Sequence, residues 1–189
     1  LNSAVTYTHD GQTIKIEHIA RHYYLPTLLA ESKRVDYIQH IIKVPSEVEF
    51  VNHLNSYVQQ QGNLFKEFNW WLFSKLDEHL DDVVLPYYDP HANQMRAFKP
   101  DFIFWLQKGT DYHIVFVDPK GTAYADYQHK VDGYRQLFEG GNGHPKVLHH
   151  DGLNVRVSAF LRTDDANLVA DRYKRYWFDD TGSLLRKLL

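Results

Sequence analysis

Two aspartates and a lysine lie at the ends of an apolar hairpin and could together hold a divalent metal ion. The stretch 98–122 consists of two apolar segments around a polar turn, with Gly109 near its middle as the residue best able to take a positive φ. Asp101 precedes Gly109 by eight residues and Asp118 follows it by nine. A hairpin closed on Gly109 sets the two carboxylates opposite one another to within one residue of register, roughly 5 Å apart at Cβ. Lys120 follows Asp118 by two residues, so the period of a strand puts both on one face.

These residue types suit the hydrolysis of phosphate esters. Mg²⁺ prefers hard oxygen ligands and takes one or two carboxylates together with water and phosphate oxygens. A neighbouring lysine could orient or help deprotonate the attacking water and offset charge that grows on phosphorus. A plain alternative is that Asp101 begins one strand and residues 118–120 form a turn that ends the next, because Asp-x-Lys is a common triplet. The pairing with Pro100-Asp101 at hairpin distance favours the metal site.

Composition predicts one soluble globular domain with little intrinsic attraction for nucleic acid. The chain has 189 residues, of which 43% are hydrophobic, and no apolar run is long enough to cross a bilayer. It has no cysteine, which excludes disulfides, thiolate zinc sites and thiol nucleophiles. The formal charge is −3, whereas a domain that grips DNA unaided is usually basic. Nothing at the N-terminus resembles a signal peptide, so we expect a cytoplasmic protein with no membrane partner.

Helices and strands are predicted on both sides of the central hairpin. Alternation around Asp10-Gly11 predicts a small hairpin over residues 1–16. Ser46 and Glu47 begin a capping box after Pro45 and predict the start of a helix. A second helix is predicted from one apolar face, made of Phe65, Phe68, Leu72, Leu76 and Leu80.

An apolar strand over residues 83–88 precedes the hairpin, and a helix and a strand follow it. The helix has an apolar side and stops at the glycine-rich segment 140–143; that side consists of Tyr127, Val131, Tyr134, Leu137 and Phe138. Residues 154–161 alternate apolar and polar, as in a strand with one polar face. The order helix, strand, strand, strand, helix, strand predicts an α/β fold with a mixed β-sheet flanked by helices.

The hairpin signature and the segments around it resemble a known family. Pro100-Asp101, sixteen intervening residues and Asp118-Pro119-Lys120 resemble the signature of PD-(D/E)xK, or restriction-endonuclease-like, nucleases. Companion segments resemble the C-terminal nuclease region of type III restriction subunits and related DEAD/DEAH-type helicase-nucleases. These segments are His22-Tyr23-Tyr24-Leu25-Pro26, Phe73-Ser74-Lys75-Leu76-Asp77-Glu78, Pro86-Tyr87-Tyr88, Lys99-Pro100-Asp101-Phe102 and Asp118-Pro119-Lys120-Gly121.

The resemblance implies an αβββαβ core and further site residues. In that family the carbonyl of the residue at Pro119 also contacts the metal, and the helix before the first strand carries another acid, which points to Glu78. A helical wheel puts Glu78 nearly opposite the Leu72 and Leu76 face, so Asp77 or Glu67 could serve instead. On the helix after the triplet, the resemblance implies contacts with the scissile strand, made by Gln128, Lys130 and Tyr134. A solvated polar face with a packed tyrosine is the alternative for that helix.

The resemblance also predicts a domain organisation. Residues 1–44 are an N-terminal appendage or a junction with an upstream motor, residues 45–163 the nuclease core, and residues 164–189 a helical, basic tail. The chain starts at Leu1 and contains no G-x-x-x-x-G-K-[ST] nucleotide-binding loop, so we expect a fragment of a longer protein. ATP would act only through an upstream helicase or ATPase segment, and a modification subunit is a further possible partner.

The function expected from the sequence is a metal-dependent endonuclease that hydrolyses DNA phosphodiester bonds within an ATP-dependent restriction or defence enzyme. Mg²⁺ is the expected cofactor, with Mn²⁺ as a substitute. RNA remains an alternative substrate, because a site directed at phosphate does not read the sugar. The alternative from a different class is a catalytically inactive module of nuclease fold that binds DNA or docks a protein.

Overall fold

The structure, a computed structural model, describes residues 3–9, 12–18, 27–30, 41–42, 44–77, 81–119, 127–163 and 165–189. Its strands and helices are, in chain order, β1 (Ser3–His9), β2 (Gln12–His18), β3 (Thr27–Ala30), β4 (Ile41–Ile42), α1 (Pro45–Val58), β5 (Trp70–Lys75), β6 (Leu85–Asp89), β7 (Gln94–Phe98), β8 (Phe102–Lys108), β9 (Asp111–Asp118), α2 (Tyr127–Phe138), β10 (Leu148–His150), β11 (Leu153–Leu161) and α3 (Thr181–Arg186). Short 3₁₀ helices cover Leu64–Glu67, Ala166–Leu168 and Asp171–Tyr176.

A five-stranded mixed sheet in the order β10-β11-β9-β8-β5 forms the centre of the fold. Strand β11 runs parallel to β9, whereas the other neighbouring strands are antiparallel. Side chains of α1 and α3 bury one face of the sheet, and those of α2 with the β6–β7 hairpin bury the other. The predicted α/β class with a mixed sheet flanked by helices is therefore confirmed.

The β8–β9 hairpin closes through the two-residue turn Gly109-Thr110, where Gly109 has φ of +59°. A positive φ at this position is the backbone shape that glycine adopts most readily. Pairing runs from Lys108 opposite Asp111 at the turn to Phe102 opposite Val117 at the far end. The predicted hairpin is confirmed, and the residues just beyond its last pair, 101 and 118, lie at one end of the sheet.

Two apolar clusters fill the space on either side of the sheet. The first joins Phe50, Val51 and Leu54 of α1 to Phe104 and Leu106 of β8. Residues from the predicted C-terminal tail also belong to it, since Phe178, Leu184 and Leu185 are at most 1% exposed. The second cluster packs α2 and the β6–β7 hairpin against the opposite face. Burial of large apolar side chains on both faces fixes which helix covers which face of the sheet.

The helix predicted across residues 65–80 is wrong. The chain forms a 3₁₀ helix at Leu64–Glu67 and then the edge strand β5. Trp71 and Phe73 are buried on the α1 side and stand opposite residues 106 and 104 of β8, so the period is that of a strand. Aromatic residues favour strands because they pack well on a pleated surface. Leu80 lies outside the described residues.

The first strand of the core is therefore β5, not the predicted strand at residues 83–88. The latter region forms β6, which pairs only with β7 in a separate two-stranded sheet. Strand β7 was not predicted because only Phe98 among its five residues is buried, which leaves no apolar alternation. The order helix, strand, strand, strand, helix, strand was therefore predicted with the wrong first strand, because β5 lies within the stretch that was expected to be helical.

Other elements agree with the prediction except in detail. The N-terminal hairpin β1–β2, the start of α1 at Pro45, the end of α2 before the glycine-rich segment and strand β11 are confirmed. The capping box is wrong, because the N-cap is Val44, which provides no side-chain hydrogen bond. Leu137 was expected to be buried and is 40% exposed. Within the described residues, no helix is both long and apolar enough to span a membrane.

We expect Gly133→Ala to destabilise the fold. An added Cβ would lie 2.5 Å from the carbonyl oxygen of Pro86 and 2.6 Å from Cβ of Tyr87, where α2 meets β6. The resulting displacement should outweigh the helix propensity gained from alanine and leave a net loss of about 1–2 kcal/mol in the free energy of unfolding. Urea denaturation measures this loss. Gly62→Ala, whose Cβ would meet nothing within 4 Å, is the control, and equal stability of the two variants would contradict the close packing of α2 on β6.

Candidate functional site

Asp101 and Asp118 lie at the end of the sheet opposite the β8–β9 turn. Asp101 immediately precedes β8, and Asp118 is the last residue of β9. Their backbone carbonyls accept hydrogen bonds from the N–H groups of Leu76 at 2.8 Å and Arg162 at 2.9 Å, respectively. Neighbouring strands therefore fix the backbone at both aspartates, which places their side chains reproducibly at this end of the sheet.

On the α1 side, one ammonium group contacts two carboxylates. Nζ of Lys75, the last residue of β5, is 3.1 Å from Oε2 of Glu47 and 3.3 Å from Oδ1 of Asp101. The side chains of Glu47, Lys75 and Asp101 are 4%, 15% and 21% exposed. Because little water screens these charges, their attraction is stronger than in a surface ion pair. We refer to these three residues as the Lys75 cluster.

Glu47 was interpreted only as part of a capping box, although a signal for its real position existed. It lies on the same face of α1 as the buried residues Phe50, Val51 and Leu54, at spacings of three, four and seven. A carboxylate in line with an apolar helix face is brought to the core when the helix docks, where it requires a partner. Lys75 provides that partner. It was missed because β5 was predicted to be helical.

Asp118 is bound from the other side of the sheet. Its side chain is 8% exposed, and its Oδ2 lies 3.5 Å from Nζ of Lys130 in α2. The same ammonium lies 4.6 Å from the centre of the Phe98 ring, a cation–π distance that helps to orient it. Lys130 was predicted to contact nucleic acid, and the structure places it beside Asp118. The ion pair connects α2 to the end of β9.

Two predicted catalytic residues, Lys120 and Glu78, lie outside the described residues, so their roles stay predictions. Pro119 follows the end of β9 and is buried, where its missing N–H costs no ladder hydrogen bond. Of the alternative acids, Glu67 contacts Lys108 at 3.6 Å near the β8–β9 turn, at the wrong end of the sheet. Asp77 follows β5 by two residues, and its N–H donates to Oδ2 of Asp81 at 2.8 Å.

The remaining predicted contacts to nucleic acid differ in accessibility. Gln128 is half-buried, and its Oε1 accepts a hydrogen bond from Arg172 at 3.3 Å. Tyr134 is 2% exposed, its hydroxyl donates to the carbonyl of Val157 at 3.0 Å, and burial raises its pKa. Tyr134 is therefore the packed tyrosine of the alternative interpretation, because a ligand on the surface cannot reach its ring.

The oxygen donors at this end of the sheet are of the kind that Mg²⁺ prefers. They come from Glu47, Asp101 and Asp118 and from the carbonyl of Pro119. Asp101 and Asp118 nevertheless contact lysines on opposite faces of the sheet. Among the residues that the structure describes, no group of three or more histidine or acidic side chains is close enough to hold a metal ion. The arrangement brings the acids to one end of the sheet without assembling them around a single point.

Comparison with known proteins identifies one family. A family model described as the YagJ family matches residues 38–157, well over half of the chain. The matched range contains α1, β5 to β9 and α2, and with them Glu47, Lys75, Asp101 and Asp118. No curated protein and no solved structure matches the chain significantly.

Substitution of Lys75 by methionine should reduce stability strongly. It leaves the carboxylates of Glu47 and Asp101 close together without their shared cation, and breaking a buried ion pair in this way costs about 3–5 kcal/mol. Chemical denaturation at neutral pH measures the loss, and adding Glu47→Gln to the same chain should recover part of it. Lys108→Met, which removes an exposed partner of Glu67, should change stability by less than about 0.5 kcal/mol. Equal effects of the two lysine substitutions would contradict the importance of the Lys75 cluster.

Proposed function

The chain belongs to the YagJ family, and we propose that it is a metal-dependent nuclease domain that hydrolyses DNA phosphodiester bonds. The observation that carries this proposal is the position of three acids, Glu47, Asp101 and Asp118, at one end of the central sheet. Asp101 immediately precedes β8 and Asp118 ends its antiparallel neighbour β9, and the third acid comes from the helix ahead of those strands.

Strand order and direction support the proposal. The elements α1, β5, β8, β9, α2 and β11 follow one another as helix, three antiparallel strands, helix and a strand parallel to β9. We propose that these six elements are the αβββαβ core of a restriction-endonuclease-like fold. In such a core the two signature acids belong to the second and third strands. Those strands would be β8 and β9 here, with Asp101 just before the start of β8 and Asp118 at the end of β9. The β6–β7 hairpin would then be an insertion between the first and second strands.

Each residue of the site has a proposed role. Asp101, Asp118 and the carbonyl of Pro119 would hold Mg²⁺ or Mn²⁺. Glu47 would provide the helix acid that the sequence placed at Glu78, because it lies on the helix before the first core strand and is 3% exposed. When bound, the metal would polarise a phosphoryl oxygen and lower the pKa of the attacking water. Lys120 remains the proposed residue that orients this water.

The lysines in contact with the acids would balance charge before substrate arrives. Lys75 neutralises the repulsion between the carboxylates of Glu47 and Asp101. Lys130 balances the negative charge of Asp118. A divalent cation that binds these carboxylates competes with both ammonium groups. The displaced side chains would then be available to phosphate oxygens of the substrate, which is how Lys130 and its neighbour Gln128 would contact the scissile strand.

The net charge of −3 bears on how DNA is held. We propose that an upstream ATP-driven helicase segment supplies most of the electrostatic attraction and that a modification subunit takes part in a cytoplasmic restriction or defence enzyme. Phosphate contacts give most of the affinity of proteins for DNA, and a domain in which acidic side chains outnumber basic ones attracts phosphate weakly. The nuclease domain would therefore cut DNA that its partner segment delivers.

A second candidate is a nuclease-like fold that binds without cutting. It is favoured by the pairing of Asp101 and Asp118 with separate lysines and by the lack, among the described residues, of three acids grouped around one point. In that case the acids would stabilise the sheet through ion pairs alone. Metal binding distinguishes the two candidates, since ion pairs that are purely structural gain nothing from a divalent cation.

Cleavage of supercoiled plasmid tests the nuclease directly. We expect nicking by the chain with Mn²⁺ or Mg²⁺ that chelator abolishes and that Asp118→Asn or Lys120→Ala lowers by at least about 100-fold, because metal and charge stabilisation of the transition state are lost. Asp151→Asn removes the same charge from an exposed turn and should cut like the wild type. If the isolated chain is silent, the assay is repeated in the full-length protein with ATP. Cutting there that does not depend on Asp118 would overturn the proposal, as would no cutting at all.

Metal binding gives a second test that needs no substrate. Mg²⁺ or Mn²⁺ should raise the melting temperature of the wild type, since a ligand that binds only the folded state stabilises it. The rise should be lost in Asp101→Asn and kept in Asp151→Asn, measured by differential scanning fluorimetry at constant ionic strength. A melting temperature that metal leaves unchanged in all three proteins would favour the binding module.

A further inference from the structure

The other end of the central sheet contains a polar cavity of about 320 Å³. It lies on the α3 side, where β9 and β11 begin, at the end of the sheet away from Asp118. Its wall combines four side chains that are or can become cationic with one acidic side chain; these are His113, His144, Arg156 and Lys187, with Asp111 as the acid. The residues come from β9, β11, the loop after α2 and the end of α3, so the cavity depends on the folded arrangement of four segments.

His113 is a buried titratable side chain of this cavity. On the same face of β9, residues 115 and 117 are apolar and belong to the core, whereas His113 continues that row with an imidazole that is 7% exposed. Its ring meets Phe68 edge-on, and within the described part of the chain it makes no hydrogen bond. Burial and the nearby Arg156 keep the pKa of His113 below its usual value, while Asp111 acts in the opposite sense. The ring nitrogens of His113 are not among the buried polar atoms that lack a partner in the described residues, so they open to the cavity, where a ligand could replace water.

Two permanent cations line the same space. Arg156 stands beside His113 in the β11–β9 register, and its Nη1 is 2.5 Å from Oδ1 of Asp111. That bond uses part of a guanidinium that has five N–H donors. Lys187 is exposed and forms no ion pair with any residue that the structure describes, and the partial burial of its ammonium lowers its pKa. An ammonium without an ion pair and a partly used guanidinium at a cavity wall attract negative charge.

We propose that this cavity binds a small ligand carrying an oxyanion, of the phosphate or carboxylate type, through Arg156, Lys187 and His113. A volume of about 320 Å³ is at the lower end of the range for small-molecule sites, which suits a compact metabolite. Asp111 holds Arg156 in place and orients its free N–H groups. The site shares no residue with the Lys75 cluster or with Asp118 and Lys130, so the proposal does not depend on nuclease activity.

Binding of simple anions to the complete chain tests the proposal. Sulfate, inorganic phosphate and citrate are titrated by isothermal calorimetry at an ionic strength held constant with NaCl, and phosphate against citrate separates the two ligand types. Lys187→Gln should weaken binding of the preferred anion by about tenfold, as expected for one charged hydrogen bond. Arg186→Gln removes the same charge one residue away, does not line the cavity and should bind like the wild type. No binding of any of the three anions, or equal weakening by both substitutions, would overturn the proposal.

The pH dependence of sulfate binding provides a readout specific to the buried imidazole. Sulfate keeps its charge between about pH 8 and about pH 5.5. Changes in its affinity over this range therefore reflect protonation of side chains of the protein. A bound anion favours the imidazolium form of His113, whose pKa is otherwise lowered, and affinity should therefore rise as pH falls. The charged and titratable groups facing this ring are Asp111, Arg156, His144 and Lys187. His113→Gln should flatten the profile, whereas His53→Gln, which changes an exposed histidine of α1 outside the cavity, should not. A profile that His113→Gln leaves unchanged would exclude His113 from the site.

Discussion

The register of the β8–β9 hairpin is the constraint on which both candidate sites depend. Glycine at 109 allows a two-residue turn, and this turn pairs Lys108 with Asp111. A shift of one residue would move every side chain of β9 to the other face of the sheet. It would take Val115 and Val117 out of the apolar cluster on the α1 side of the sheet. It would also move Asp118 away from Lys130 and His113 away from its cavity. The conformation of this one turn thus decides which side chains of β9 reach the candidate sites at its two ends.

How charge is balanced at the Asp118 end of the sheet determines what the site can do. Each acid there contacts a lysine, and the two lysines lie on opposite faces of the sheet. Such pairing stabilises the protein without metal, because it avoids uncompensated carboxylates at low exposure. A divalent cation can therefore bind there only if its interaction with the carboxylates is stronger than their ion pairs with the two ammonium groups. Two positive charges at one point, bonded to several oxygens at once, make that exchange favourable when the carboxylates can turn toward one another.

The sequence predicted elements well where one local signal dominated. A glycine at the turn and strong apolar segments on both sides defined the hairpin, and three glycines within residues 139–144 ended α2. Strand β5 was missed because Phe68, Leu72 and Leu76 are also spaced as on a helix, and only pairing with β8 decides between the two periods. Partners distant in the chain have no such signal: Glu47 and Lys75 meet across 28 residues because α1 docks on the sheet. Asp101 and Asp118 were placed correctly at one end of the hairpin because register is a local property, whereas their lysine partners come from other elements.

Distance separates the two ends of β9 and limits how they can influence each other. Seven residue steps at about 3.3 Å each put Asp111 roughly 23 Å from Asp118, farther than a small ligand in the distal cavity can reach. Direct contact between such a ligand and a substrate phosphate at Asp118 is therefore excluded. The strands between them are packed on both faces by apolar side chains and paired along their length. A ligand bound by Arg156 and His113 would instead act on β9 and β11 together, since it joins the starts of two parallel strands whose ends carry Asp118 and Leu161. Any influence on the acidic end would thus depend on how firmly this strand pair is held in register.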